Sequence, residues 1–423
     1  MSSFPLPSPL KGREVNPLLR LKREFQEWLF IAEEDIQVID YVASIIMSIQ
    51  HQTTPVWGYL VGPSGGVKSE ILRAFKLPFT YYLDMIRPTS IISGFRGGSR
   101  DPSILPELNK KVLIIKDFSP ILSMPRDMRE VLFSAWRASF DGEYIGSFGN
   151  IGKVGYKSSY GIIIGCTSII DVLRRLHAVL GERFLSFRLQ VPNRKLATRQ
   201  AIENTCYQKK MRRHLHEAVI RFVEQLQDMD LKEPSFSPKA SRTLIELSDL
   251  TARCRSQVLR TGSPTQEVHY LPEPEIGTRL SQQLRSLMGT HAICSGRDEL
   301  RISDLKLALR VARDSLPSRT STLLNFLYWD YKKRYFVGRG KIPPTFIPEL
   351  QLTDILGMST PMVRTLCEDL WMLGILERKK GEWRKSCWRI KKDVFEQMDY
   401  LSLWTSENLP DYLRLSPKKE AHQ

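Results

Sequence analysis

Val56-Trp57-Gly58-Tyr59-Leu60-Val61-Gly62-Pro63-Ser64-Gly65-Gly66-Val67-Lys68-Ser69-Glu70-Ile71-Leu72 is the stretch on which the fold turns. Its first six residues are an apolar run of strand length. Gly62 to Ser69 is a glycine-rich turn closed by a Lys-Ser pair, and a helix is expected from Glu70 to Phe75. Strand, glycine-rich turn, Lys-Ser and helix, in that order, make a phosphate-binding loop. Such a turn frees backbone N–H groups for phosphate oxygens, and the helix N-terminus adds a favourable dipole. Gly62, Pro63, Ser64, Gly65, Gly66 and Val67 are thus expected to cradle the phosphates of ATP. Lys68 would reach the β- and γ-phosphates, and Ser69 would hold Mg2+. Val67 stands where glycine usually precedes the lysine, so a bare surface turn is the alternative reading.

Upstream, apolar positions recur at helical spacing from Pro17 to Gln50, which predicts two helices after a Pro/Ser-rich lead-in over 1–16. Downstream, Val112-Leu113-Ile114-Ile115 and Gly161-Ile162-Ile163-Ile164-Gly165 are two more continuous apolar runs. Such strands, separated by helical patterns, predict an α/β fold with a parallel sheet covered on both faces. From Arg199 to about Leu316 the pattern is helical, broken by a Pro/Gly/Ser-rich segment at Thr261 to Pro274. One more helix is expected over Thr320 to Phe336, followed by a compact unit over Ile342 to Ile390.

Composition sets the outer bounds. The 423 residues are 42% hydrophobic and 26% charged, which is ordinary for a globular chain of two or three domains. A formal net charge of +16 favours a polyanionic partner, because each phosphate contacted releases a counterion. The six cysteines are scattered, with no pair at zinc-ligand spacing, as suits a reducing cytoplasm. No apolar run is long enough to span a bilayer.

The strand Val112–Ile115 runs into Lys116-Asp117-Phe118. Its expected task is to set a carboxylate beside Mg2+ and the attacking water. Two registers stay open. In one, Lys116 occupies the metal-binding place and Asp117 the catalytic one; in the other, Asp117 faces the metal and Phe118 stands where a second acid would. A plain capping Asp is the third possibility. After the strand ending at Gly165, Thr167 is either the group that orients the water or a helix cap.

The loop, with a non-glycine residue before Lys68 and Glu70-Ile71-Leu72 behind it, resembles that of minichromosome maintenance helicases, which tolerate alanine there. It also resembles a group of AAA+ proteins carried by phages, plasmids and genomic islands. These share a Trp-containing strand, an acidic residue after the Lys-Ser pair and a Lys-Asp-Phe strand end, as in Trp57, Glu70 and 116–118 here. The resemblance implies an AAA+ P-loop core with its N-terminal helices over 17–198, a helical lid over 199–319, a winged-helix domain over 320–395 and a tail over 396–423. Leu180-Gly181-Glu182-Arg183-Phe184-Leu185 resembles the arginine-finger segment, in which Arg183 would act on a neighbouring subunit's phosphate; Arg188 competes, and an ordinary salt bridge is the alternative. Ile276-Gly277-Thr278-Arg279-Leu280 resembles the sensor 2 segment, with Arg279 touching the γ-phosphate. The glycine-punctuated segment 141–157 reads as a hairpin turning near Gly149-Asn150. The family's hairpin carries a pore residue at DNA, which implies Lys153 and Lys157; a plain surface hairpin is the alternative.

Near the C-terminus, Leu350 to Gly357 and Pro361 to Leu373 read as two helices joined by a turn, and 374–378 and 388–390 as the strands of a wing. Arg364 on the second helix and Arg378, Lys379, Lys380, Arg384 and Lys385 on the wing are candidate DNA contacts, though winged helices also bind proteins. The whole implies an ATPase that assembles into a ring or filament, a hexamer in the family, and acts on DNA. The nearest likeness is a replication helicase of a mobile element. A loader or transposition regulator that does not unwind, and an ATP switch that does not hydrolyse, are the rivals.

Overall fold

The computed structural model describes residues 16–51, 54–93, 101–148, 152–172, 182–260, 268, 270, 272–337, 345–380 and 386–404. The first seven strands are β1 (Trp57–Val61), β2 (Thr80–Leu83), β3 (Val112–Ile115), β4 (Glu143–Phe148), β5 (Gly152–Lys157), β6 (Gly161–Cys166) and β7 (Leu185–Arg188). Five of them form one sheet in the order β2-β3-β6-β1-β7, parallel throughout. β4 and β5 pair with each other as a separate antiparallel hairpin.

The apolar runs form these strands because both sheet faces are covered. Alternate side chains enter two cores. Leu60, Ile114, Ile163, Leu185 and Phe187 face one; Tyr59, Val61, Leu113, Ile115, Ile162 and Ile164 face the other. The first core is continuous with α1 (Pro17–Trp28) and α2 (Gln37–Ser48). Asn16 starts α1 by accepting the Leu19 N–H at 3.1 Å, with Pro17 at the first position. Downstream of the loop come α3 (Lys68–Ala74) and α4 (Arg126–Ser139), with single helical turns at Pro88–Ile91 and Ser119–Leu122.

After the sheet the chain is helical: α5 (Arg194–Glu203), α6 (Gln208–Gln227), α7 (Pro238–Arg255), α8 (Thr278–Cys294), α9 (Ile302–Asp314) and α10 (Ser318–Val337). α8 packs on α2, α9 on β7, and α6 on α1 and α3, so the helices close back on the sheet's first core. The C-terminal unit has β8 (Ile347–Pro348), α11 (Glu349–Leu356), α12 (Thr360–Met372), β9 (Leu376–Lys380) and β10 (Ser386–Ile390), then α13 (Lys392–Leu401). Its strands run antiparallel in the order β8-β10-β9. Gly357 ends α11 at φ 60°, the left-handed stop expected of a glycine.

The structure departs from the sequence reading in two places. β2 and β7 carry no signal in the sequence: Thr80-Tyr81-Tyr82-Leu83 and Leu185-Ser186-Phe187-Arg188 are four-residue edge strands, too short and mixed to show a pattern. The helix after the loop begins at Lys68 rather than Glu70. The hairpin's turn at Gly149-Asn150 lies outside the described residues. No helix among those described is long and apolar enough to cross a membrane.

Candidate functional site

Strand register decides which residues meet. Val61 pairs with Cys166, and Ile115 with Ile164. Because β1, β6 and β3 are parallel neighbours, the loop after Val61, Thr167 after Cys166 and Asp117 after Ile115 emerge at the same end of the sheet. Ligands of open parallel sheets bind in the crevice at such carboxyl ends. Here the crevice is a cavity of about 680 Å3 lined by Ser64 to Glu70, Lys116, Asp117 and Thr167. Its opposite wall is Trp28, Leu29 and Phe30 with Ala197 and Ala201 of α5.

The loop wraps the start of α3. The Gly62 N–H donates to the Cys166 carbonyl at 3.0 Å, tying the loop to β6. Gly65 sits at φ 73°, where a side chain is strained. Val67 sits at φ −69°, ψ −9°, an ordinary right-handed helical conformation. That answers the departure from glycine: the position before the lysine needs no positive φ, so a β-branched residue fits. Lys68 is only 7% exposed, and its ammonium donates to the Gly62 and Pro63 carbonyls at 2.9 and 2.6 Å. Burial holds its pKa below the ordinary lysine range, while Cys166 and Asp117 pull in the opposite direction.

Asp117 is exposed at the mouth of the cavity. Its Oδ1 accepts from the Ser119 N–H at 2.9 Å and the Ser119 hydroxyl at 2.7 Å, so it does cap the following turn. Its Oδ2 has no hydrogen bond among the described residues. Phe118 is buried against Tyr59 and Phe133 in the second core and does not face the cavity. Lys116 lines the cavity and pairs with Asp84 at 2.6 Å. The strand end therefore offers one carboxylate, Asp117. Thr167 lies between the loop and Asp117, and its hydroxyl caps no helix among the described residues; the carbonyl of Thr167, not the side chain, accepts the Ile170 N–H at 3.1 Å. Glu70 also lines the cavity but is held by Arg212 of α6 through two bonds of 2.8 and 2.9 Å.

The arginines lie elsewhere. Arg183 precedes β7, at the amino end of the sheet, and its guanidinium stacks over Phe140 with the ring centroid 5.7 Å away. Its carbonyl accepts from Gln283 of α8 at 2.8 Å, while Gln283 also accepts from the Trp57 N–H at 3.3 Å. Arg279 stands one turn before Gln283, beside Arg183. It does not line the cavity with Lys68, so within one chain the expected contact to the same phosphate is not made. A third arginine, Arg137 near the end of α4, joins them. Burial lowers the Arg183 pKa, and Arg279 and Arg137 lower it further, with Asp141 and Glu182 opposing. No local motif marks Arg137 in the sequence; the fold alone brings it there. Arg188, the rival for Arg183, is spoken for: it pairs with Asp171 at 2.6 Å and bonds the Asp314 and Leu316 carbonyls at 2.8 and 3.1 Å. The Glu182 carboxylate accepts from the backbone N–H groups of Arg183 and Phe184 at 3.0 and 2.9 Å.

The DNA candidates are unequal. Lys153 and Lys157 are exposed on the outer face of the hairpin, Lys153 opposite Ser147 and Lys157 opposite Glu143. Arg364 is engaged by Glu349 at 2.8 Å. α12 is further tied to the segment that follows α7 by Arg260, which pairs with Asp369 at 2.8 Å. Arg378 lies over the rings of Trp371 and Trp388. Lys379 and Lys380 are exposed, and Arg384 and Lys385 lie outside the described residues. No protein-family model matches this chain, and no curated protein matches it.

Proposed function

We propose that this chain is an AAA+ ATPase that works on DNA within a ring or filament, as a replication helicase of the minichromosome-maintenance kind would. The observation that carries this reading is the strand order, which sets β6 between the loop strand and the carboxylate strand and so opens Lys68, Thr167 and Asp117 into one cavity. The amides of 64–69 and the Lys68 ammonium would hold the β- and γ-phosphates of ATP. The Ser69 hydroxyl and the unengaged Asp117 Oδ2 suit a hard cation that prefers few protein oxygens, as Mg2+ does. When bound, Mg2+ neutralises charge developing on the phosphate oxygens. The Thr167 hydroxyl would orient the attacking water. Trp28, Leu29, Phe30, Ala197 and Ala201 form an apolar wall suited to the base.

No arginine lines this cavity among the described residues. The Arg137, Arg183 and Arg279 cluster at the far end of the sheet would complete a neighbour's site, which is why the reading includes self-association. Lys153, Lys157, Lys379 and Lys380 are exposed and would meet DNA phosphates.

Phosphate release from ATP, with and without DNA, tests the proposal. DNA-stimulated release that Lys68→Ala abolishes is expected; equal turnover in that variant excludes the site. Strand displacement on forked DNA separates a helicase from a loader or transposition regulator, which would hydrolyse without unwinding. One observation favours a second reading, an ATP switch: β3 ends in a single carboxylate, with Lys116 bound to Asp84 beside it. Absence of phosphate release despite nucleotide binding would favour that reading.

A further inference from the structure

α5 buries none of its own residues. Its inner face, through Ala197, Thr198 and Ala201, is a wall of the cavity that holds Lys68. Its outer face and the start of α6 are cationic. Between 194 and 213 seven Lys and Arg residues stand against one Glu. Of the cations, Arg194, Lys195, Lys209 and Lys210 are exposed and make no ion pair among the described residues. The Glu, Glu203, is tied to Arg199 in an exposed pair at 3.0 Å, a weak interaction that a phosphate would displace at little cost. Along the chain Tyr207, 54% exposed, falls between the two groups of cations. The segment is nonetheless fixed in place: Asn193 caps α5 by accepting the Leu196 N–H at 3.0 Å, and Asn204 donates to the Trp28 carbonyl at 2.7 Å.

We propose that this surface binds a single-stranded nucleic acid, its phosphates against Arg194, Lys195, Lys209 and Lys210 and a base stacked on Tyr207, and that filling the cavity behind α5 changes the affinity. Charge selects the occupant: a second copy would bring the same cations in a chain of net charge +16, whereas a polyanion releases counterions on binding. The exposed ring selects a single strand, since bases in a duplex are already stacked and offer it no face. α5 couples the two sites because it is a wall of one and the floor of the other, and none of its residues is buried. The coupling rests on the cavity taking a nucleoside triphosphate; the binding does not. The surface lies at the carboxyl end of the sheet, whereas the hairpin joins β6 at the amino end, so it is separate from Lys153.

The test is fluorescence anisotropy of a labelled oligothymidylate with the full-length protein across a salt series. In a variant with Arg194→Glu, Lys195→Glu, Lys209→Glu and Lys210→Glu, affinity falls more than tenfold and the salt slope shrinks by about 3, near 0.7 for each phosphate no longer neutralised. Tyr207→Ala, which removes no charge, weakens binding about tenfold with the slope unchanged. Wild-type affinity and slope in the fourfold variant, with native circular dichroism and melting, overturn the proposal, as does equal binding of the matching duplex or binding only to anionic vesicles. A non-hydrolysable ATP analogue shifts the oligonucleotide affinity of the wild type and not of Lys68→Ala; an analogue that binds without any shift overturns the coupling. Failure of labelled nucleotide to bind at all would instead count against the ATPase reading and leave the oligonucleotide result standing.

Discussion

At the scale of single residues, the proposed ATPase would depend on cations that the fold keeps apart. Lys68 sits at one end of the sheet, held by two loop carbonyls. Arg137, Arg183 and Arg279 sit at the other, where Arg137 and Arg279 both disfavour the charge of Arg183. Asp141 and Glu182 offset only part of this, since the pKa of Arg183 stays lowered, and an arriving phosphate would offset more. Arg137→Ala is expected to lower maximal phosphate release about a hundredfold, the usual effect of losing one donor aimed at developing charge, without changing nucleotide affinity. Mixing is the sharper check. Lys68→Ala and Arg137→Ala chains, each inactive alone, should recover activity together, because some junctions then pair an intact loop with an intact cluster. A mixture no more active than its parts would place Arg137 outside the shared site.

At the scale of elements, the site is a consequence of how closely β6 and β3 run. A Cβ placed on Gly165 would lie 2.5 Å from the Lys116 carbonyl oxygen, a backbone atom that cannot swing away. Glycine at 165 is what lets Thr167 and Asp117 emerge side by side. Gly165→Ala is expected to destabilise the chain by about 1–3 kcal/mol through overpacking. It should also reduce phosphate release beyond what the lost stability explains, since the two strand ends must separate. Denaturant unfolding and turnover at a temperature where the variant is fully folded check both parts. The glycine-free position at Val67 is the converse case: helical φ and ψ remove any need for glycine, so Val67→Gly is expected to leave turnover within about twofold.

At the scale of the whole molecule, buried charges fasten the helices to one another. His291 of α8 bonds Asp304 of α9 at 2.5 Å and faces Asp40 of α2 at 3.8 Å, while Arg297 pairs with Asp304 at 2.8 Å. Burial alone would lower the His291 pKa, but the bonds to Asp304 and Asp40 outweigh it and hold it above the ordinary value of 6.5. A raised histidine pKa means that the folded state binds the proton more tightly than the unfolded chain. The stabilisation is therefore complete below pH 6.5 and is lost as pH rises through the folded value. Subtracting the stability of His291→Gln from that of the wild type at each pH should give a difference that declines upward from pH 6.5. A flat or rising difference contradicts the linkage. Removing the partner is harsher: Asp304→Ala strands His291 and Arg297 and is expected to cost about 3–5 kcal/mol in unfolding free energy.

The amino-acid sequence by itself determined what depends on neighbours a few positions away. These are the apolar strand leading into the glycine-rich turn, the Lys68-Ser69 pair near the helix start, the buried strands over 112–115 and 161–165, and the helix pair whose first member is closed by Gly357. Each is a local pattern whose physics, side-chain periodicity or a backbone angle, is complete within one element. The tertiary structure alone decided which of these meet. Asp117 and Thr167 reach Lys68 only because β6 inserts between β1 and β3, an order no local pattern encodes. Arg188 is bound up in a network with Asp171 and Asp314, while Arg183, five residues earlier, joins Arg137 and Arg279. Residues 137, 183 and 279 are far apart along the chain, and only long-range packing of α4, β7 and α8 gives them a common neighbourhood.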